Sequence, residues 1–322
     1  FTKPLRIAVL QWMRRWLLKI DQPASESAFE VHPDKQLQCT PRGQVLLMKN
    51  AKSLNDLYHE KAEQLAKQRN SWNQETPTDQ QRTKIRELIG CRSWQDISLP
   101  KVRSLGTLKR NGYQIEKLIL EPEKGIVLPA LLFEPPNASD EITLFLHGEG
   151  KQFEAKPGGR IEQLVKKGHR VLAVDLRGYG ETESPAWRFS RTYAGSNAAE
   201  YFISYMLGQS LVGSRAEDIL ASAKYCAQRF PKARLNRIGV GRAGVSALHA
   251  GAIGSDHFQQ VLIDQSLDTW NRVIETPVTM DQLENTIHGA LRYYDLPDLI
   301  PLCGPSKCTI TNTRDAQGKA VP

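Results

Sequence analysis

The sequence predicts an α/β fold, a mainly parallel sheet with helices on both faces, preceded by a helical appendage. Three observations carry this expectation. From Asn111 onward, short apolar runs alternate with helical segments, the order that produces parallel strands and crossover helices. Several of those runs end directly in glycine-bearing loops, as strands do at the carboxyl edge of such a sheet. The residues before about 104, in contrast, hold three helical patterns that do not make up a domain.

Length and composition agree with this. The 322 residues, 40% of them apolar, suffice for one large α/β domain and an extension. No stretch has the length of a membrane span. The chain begins at Phe1 without methionine or signal peptide, which implies a processed or fragmentary chain. Of 43 basic and 35 acidic residues, 20 basic and 11 acidic precede Asn111, so the net charge of +8 sits in the first third. Those basic residues are scattered among acids, without the run or aromatic interleaving that would track a phosphate backbone, and no nucleic-acid partner is expected. Five cysteines without CxxC spacing argue against a zinc site or a redox pair, and no metal is expected. Cys303 and Cys308 flank a Gly-Pro turn; they read either as a pair in an oxidising compartment or as two small buried thiols.

Residues 4–20 read as one amphipathic helix, with Leu5, Val9, Trp12, Met13, Trp16 and Ile20 on one face and Arg6, Gln11, Arg14, Arg15 and Lys19 across from it. Its apolar face is expected to pack on protein rather than on a membrane surface. Residues 21–52, with Pro23, Pro33 and Pro41 dispersed among polar residues, read as a linker. Helices are expected over 53–70 and 78–89, the second stopped by Gly90. The expected organisation is a helix at 1–20, a linker and helical appendage at 21–104, and the α/β domain at 105–322. Runs at 113–120 and 126–133 around Glu121-Pro-Glu-Lys-Gly125 predict a hairpin. Strands then follow at 142–146, 171–174, 237–240, 260–263 and 308–311, with helices over about 159–167, 198–229 and 242–253.

Two motifs carry chemistry. Leu144-Phe-Leu-His147-Gly148-Glu149-Gly150 ends one strand, and Asp175-Leu-Arg-Gly-Tyr-Gly-Glu-Thr182 follows the next. A strand ending in His-Gly followed by one ending in Asp-x-Arg-Gly-x-Gly resembles the α/β-hydrolase family. The resemblance implies that the loop at His147, Gly148 and Glu149 supplies a backbone N–H of an oxyanion hole. It also implies a strand-turn-helix elbow of the form G-x-S-x-G. Arg237-Ile-Gly239-Val-Gly241-Arg-Ala-Gly244-Val-Ser-Ala-Leu248 has the strand, turn and small-residue helix, but Gly241 stands where the nucleophilic serine should be.

Neither Ser210, beside a helix before the elbow strand, nor Ser246, in the second turn of the elbow helix, has the required spacing; both read as packing or capping residues. The same glycines match the dinucleotide fingerprint G-x-G-x-x-G, with Asp264 as the distal acid. That fingerprint belongs in a first βαβ unit, whereas this one comes after two earlier ones. Asp315, after the late strand at 308–311, is the candidate for the acid position, with Asp264 and Asp268 behind it; its other reading is a turn aspartate before Gly318. The family's base follows the acid, and no histidine lies between Asp315 and Pro322. Arg242 and His288 are expected to line the cleft.

Leu207 to Ile219, the elbow, and Tyr293-Tyr-Asp-Leu-Pro-Asp298-Leu together resemble the bacterial acetyl xylan esterase-like hydrolases over about residues 105–322. The resemblance implies an acetylated saccharide as partner, a Ser-His-Asp triad without metal or other cofactor, and a secreted or periplasmic location. Phe1-Thr-Lys-Pro-Leu-Arg6 resembles the opening of such a hydrolase's last helix, which implies a preceding hydrolase domain. With Gly241 in place of serine, the expectation is an esterase-like domain inactive by itself. The alternatives are a non-catalytic carbohydrate-binding or domain-bracing module and a dinucleotide-binding domain.

Overall fold

Residues 2–110, 112–184, 197–304 and 306–321 are described by the computed structural model, and the chain forms two units, residues 1–53 and 54–322. In the first unit, α1 (Lys3–Leu18) starts on Pro4 and ends where Lys19 turns left-handed, and α2 (Asp34–Leu37) is a single turn. The periodicity of α1 is as expected, yet none of its residues is buried, and Trp12 and Trp16 are 60% and 55% exposed.

The second unit opens with α3 (Leu54–Glu75) and α4 (Thr78–Ile89). Ile85 and Ile89, one helical turn apart, are completely buried in the main core. Arg82 donates to Ala252 O, Ser255 Oγ and Leu302 O, and Arg69 to Leu291 O, so α3 and α4 are fastened to the α/β body by long-range hydrogen bonds. These two helices thus belong to the same unit as the sheet.

Eight strands follow: β1 (Lys101–Arg110), β2 (Tyr113–Glu123), β3 (Ile126–Glu134), β4 (Glu141–His147), β5 (Arg170–Val174), β6 (Arg234–Val240), β7 (Gln260–Asp264) and β8 (Cys308–Thr311). They form one sheet in the order β1-β2-β3-β5-β4-β6-β7-β8, antiparallel from β1 to β3 and between β3 and β5, parallel from β5 through β8. The helices after β4 are α5 (Arg160–Lys166), α6 (Ala198–Met206), α7 (Leu211–Arg229), α8 (Ala243–Ile253), α9 (Trp270–Glu275) and α10 (Leu299–Leu302), of which α5, α7 and α8 pack on the strands.

Alternation along each strand builds two cores. Ile142, Leu144 and Leu146 of β4 and Leu172 and Val174 of β5 join a large cluster with α7 and α8, while Phe145, Val171 and Ala173 join a smaller one with Ile161 and Val165 of α5. Helices thus lie on both faces.

Two expectations are corrected. β1 was not foreseen, because all ten of its residues are exposed and it has no buried face to imprint a period on its sequence. The single helix expected over 198–229 is two, because Gly208 adopts φ +72° and Ser210 caps α7, its Oγ accepting from Gly213 N–H at 2.9 Å and donating to Ile89 O at 2.8 Å. Among the described residues no helix is long and apolar enough to cross a membrane.

Candidate functional site

The strand order reverses at β4, with β5 on one side and β6 on the other, and loops at such a switch point diverge to leave a crevice at the carboxyl edge. The loops after β4 and β6 meet there. Gly148 N–H donates to Val240 O at 3.1 Å, and Arg242 Nη2 donates to Gly148 O at 2.9 Å. Gly148 admits no side chain, since a Cβ would stand 2.8 Å from Arg242 N and Cβ.

Gly241 is the apex of the turn from β6 to α8. Its N–H donates to Asp264 O, its carbonyl accepts from Gly244 N–H, and its φ is +62°. A Cβ built on Gly241 meets nothing within 4 Å. The apex faces a cleft of about 420 Å³ lined also by Arg242, Gln265, Asp281, Gln282, Arg314 and Asp315, among others. Gly241 and Asp315, from β-strand ends far apart in sequence, therefore share one cavity.

Asp315 serves its own turn as well. Its Oδ1 accepts from Gln317 N–H at 2.9 Å and Lys319 N–H at 2.8 Å, and the Lys319 N–H foremost holds its carboxyl below the usual range. Asp268 pairs with Arg272 at 2.7 Å. Asp264 accepts from Arg160 at 2.6 Å, Asn312 at 2.8 Å and Thr311 at 2.9 Å; burial opposes its ionisation, but these bonds hold its carboxyl below the usual range. An Asp264 so engaged is not open to a ribose hydroxyl. Gly239 and Gly244 are packing glycines: Cβ atoms there would collide with Ala247 at 2.5 Å and Ser266 at 2.3 Å.

The loop residues His147, Gly148 and Glu149 approach the elbow through Arg242, whose Nε lies 3.6 Å from Glu149. Glu149 N–H donates to His147 Nδ1 at 3.0 Å, so in this arrangement the donor that could serve an oxyanion is turned onto its own loop. Burial lowers the His147 pKa, which favours the neutral ring that this bond requires. His288, expected in the cleft, is exposed instead, with Nδ1 3.4 Å from Tyr205 Oη. No histidine among the described residues lines the cleft. Ser246 is buried within α8, as a packing residue would be.

Beneath the cleft, Glu284 pairs with Arg215 at 3.0 Å and with Arg242 at 3.5 Å, and Arg215 is completely buried. Tyr179 accepts from Arg215 at 2.8 Å and donates to Arg242 O at 3.0 Å, so the motif after β5 supports the elbow from below. Gln265, Asp281, Gln282 and Arg314 were not singled out from sequence. Gln265 directly follows β7, a position that the rule for parallel strands could have flagged; the segment holding Asp281 and Gln282 has no such signal. Burial raises the Asp281 carboxyl pKa, with Arg242 opposing. Among the described residues no group of three or more metal-ligating side chains converges.

No family model matches the chain, and no curated protein matches its sequence. Solved structures do match. A candidate acetyl xylan esterase from Bacteroides fragilis superposes with a TM-score of 0.63 at 16% identity, over 83% of this chain and 77% of its own. Acetyl xylan esterase 1 from Thermoanaerobacterium sp. superposes with a TM-score of 0.51 at 14% identity, over 76% of this chain and 89% of its own. The chain has the α/β-hydrolase fold. At such identities the likeness establishes the fold and leaves the reaction to the site.

Proposed function

We propose that this chain is a relative of carbohydrate esterases that keeps the fold's ligand cleft for an acetylated saccharide but forms no acyl-enzyme by itself. The observation that carries this reading is Gly241: the apex that holds the nucleophile in the resembled family has an open, cleft-facing position and no side chain to fill it. Amide and charged side chains from Gln265, Asp281, Gln282 and Arg314 suit hydroxyl-rich ligands, which need oriented donors and acceptors more than apolar walls.

The test is paired. Acetylated xylo-oligosaccharides are expected to bind the full chain in calorimetry, with affinity reduced about tenfold in Arg314→Ala, the loss of one or two hydrogen bonds to a charged group. An organophosphonate is expected to leave every serine unlabelled. Stoichiometric serine labelling would overturn the non-catalytic reading, and absence of saccharide binding would overturn the ligand.

Residues 1–20 read, under the same proposal, as the tail of a preceding hydrolase domain. The motivating observation is that α1 has an apolar face without a buried residue. Deleting residues 1–20 is expected to leave the melting temperature of the remaining chain unchanged, and a drop of several degrees would count against this origin.

A further inference from the structure

The polar side chains that line the cleft differ in how much of their hydrogen-bonding capacity the fold already uses. Arg242 donates to Gly148 O at 2.9 Å, and Asp315 accepts from its own turn. Gln282 Nε2 donates to Met280 O at 2.9 Å while its Oε1 accepts from Asn285 at 3.2 Å. Gln317 donates to Val278 O at 3.1 Å and accepts from Lys319 at 2.8 Å. The side chains of Gln265, Asp281 and Arg314, in contrast, make no hydrogen bond or ion pair among the described residues.

The backbone under these three residues is fixed. Gln265 N–H donates to Thr311 O at 3.1 Å, and Arg314 N–H to Ser266 O at 2.8 Å, which continues the pairing of β7 and β8 past their ends. Met280 N–H, beside Asp281, donates to Ala316 O at 2.9 Å and clips that segment to the same rim. Two of the three residues are also strained: φ is +56° at Gln265 and +55° at Asp281. Left-handed backbone is unfavourable for a residue with a Cβ, and aspartate relieves it through a local hydrogen bond that Asp281 does not make. Glycine would carry no such strain at either position. A fixed and strained backbone that presents unengaged side chains to a cleft is the arrangement of a preorganised binding site.

The three groups differ in hydrogen-bonding sense. A carboxylate only accepts, a guanidinium only donates, and an amide does both. Neighbouring hydroxyls on one sugar ring donate and accept together, so they satisfy all three groups at once. An acetyl ester has no donor and leaves the Asp281 carboxylate desolvated without a partner, which is costly.

We propose that Gln265, Asp281 and Arg314 form a subsite for an unacetylated vicinal diol, so that the cleft takes partially acetylated saccharides and rejects fully substituted ones. The subsite presupposes the saccharide cleft proposed above and names the part of the ligand that is held. Asp281 accepts from two adjacent hydroxyls, Arg314 donates to their oxygens, and Gln265 bonds the next hydroxyl on the ring. The acetyl group is left for the open position at Gly241, where a Cβ meets nothing within 4 Å.

The test compares two ligands by calorimetry on the full chain: monoacetylated xylobiose, and the same compound with its remaining hydroxyls methylated, which keeps the acceptors and removes the donors. The wild type is expected to bind the first about tenfold or more tightly, since a partly buried acceptor left without its donor discriminates strongly. Asp281→Asn, whose side chain tolerates left-handed backbone, is expected to lose that preference, weakening the first ligand about tenfold and leaving the second within about twofold. Arg314→Ala should weaken both, because methyl ethers still accept. Gln265→Gly should weaken the hydroxyl-bearing ligand while the melting temperature stays level or rises, a combination that a merely structural role would not give. Equal binding of the two ligands by the wild type, or an Asp281→Asn variant that keeps the preference, would overturn the diol subsite and leave the saccharide cleft standing. Binding of neither ligand would overturn both. A lowered melting temperature in Gln265→Gly would overturn the role of Gln265.

Discussion

Gly180 and Gly241 both have left-handed φ angles, +57° and +62°, and both follow strands at the carboxyl edge of one sheet, but their surroundings differ. A Cβ on Gly180 would lie 2.5 Å from the Asp175 carboxylate. That carboxylate, fully buried, accepts from Lys151 Nζ at 2.7 Å, Lys151 N–H at 2.5 Å and Glu181 N–H at 3.0 Å, drawing the loops after β4 and β5 together. A Cβ on Gly241 would touch nothing. Packing therefore dictates glycine at 180, whereas at 241 the backbone angle favours glycine but space does not demand it. A position kept open beside tightly packed neighbours is what a reacting or ligand-facing side chain uses, and this openness supports the proposed ligand cleft.

Three measurements can break or sharpen this contrast. The largest effect is expected for Gly180→Ala. It combines a left-handed penalty of about 1–2 kcal/mol with overpacking of about 1–3 kcal/mol against a buried ion pair. Chemical denaturation should show a loss of about 2–5 kcal/mol. A loss below about 1 kcal/mol would mean that the Asp175 hub yields and that the two turns are alike.

The second asks whether openness is confined to the apex. Further along α8, His249 is completely buried, its Nε2 3.0 Å from Tyr294 Oη and its Nδ1 2.8 Å from Val245 O, and burial pushes its pKa down to about 4 from 6.5. The folded state resists a proton that the unfolded chain accepts, so stability falls as pH drops from about 6.5 to 4, by about 3 kcal/mol in all. His147 and His257, also lowered chiefly by burial, act in the same direction. His249→Gln, which retains hydrogen-bonding capacity without titrating, should remove its share of the pH dependence. An unchanged slope in that variant would show that His249 titrates freely and that α8 is loosely packed.

The smallest effect is expected for Gly241→Ser. Only the left-handed penalty applies, about 1–2 kcal/mol. With no histidine among the described residues lining the cleft, acetyl-ester turnover should stay within the about 10³–10⁴-fold over water that an oxyanion hole and binding give without a complete triad. A loss comparable to that of Gly180→Ala would show the apex to be closed.

The sequence by itself determined the strands from 113 onward, the hairpin, α4 with its stop at Gly90, and the elbow around Gly241. These follow from local chemistry: alternation of period two, capping residues, and glycines at fixed offsets from a strand end. Only the tertiary structure decided that His288 stays out of the cleft while Asp281 and Arg314 enter it, since which loops converge depends on strand order rather than on any neighbour in the chain. It alone decided that Glu149 N–H turns onto His147 and that Asp175 is a buried hub, each a contact between groups whose local patterns do not reveal one another. β1 escaped the sequence for the same physical reason: a strand with no buried face leaves no hydrophobic period, and only pairing with β2 makes it a strand.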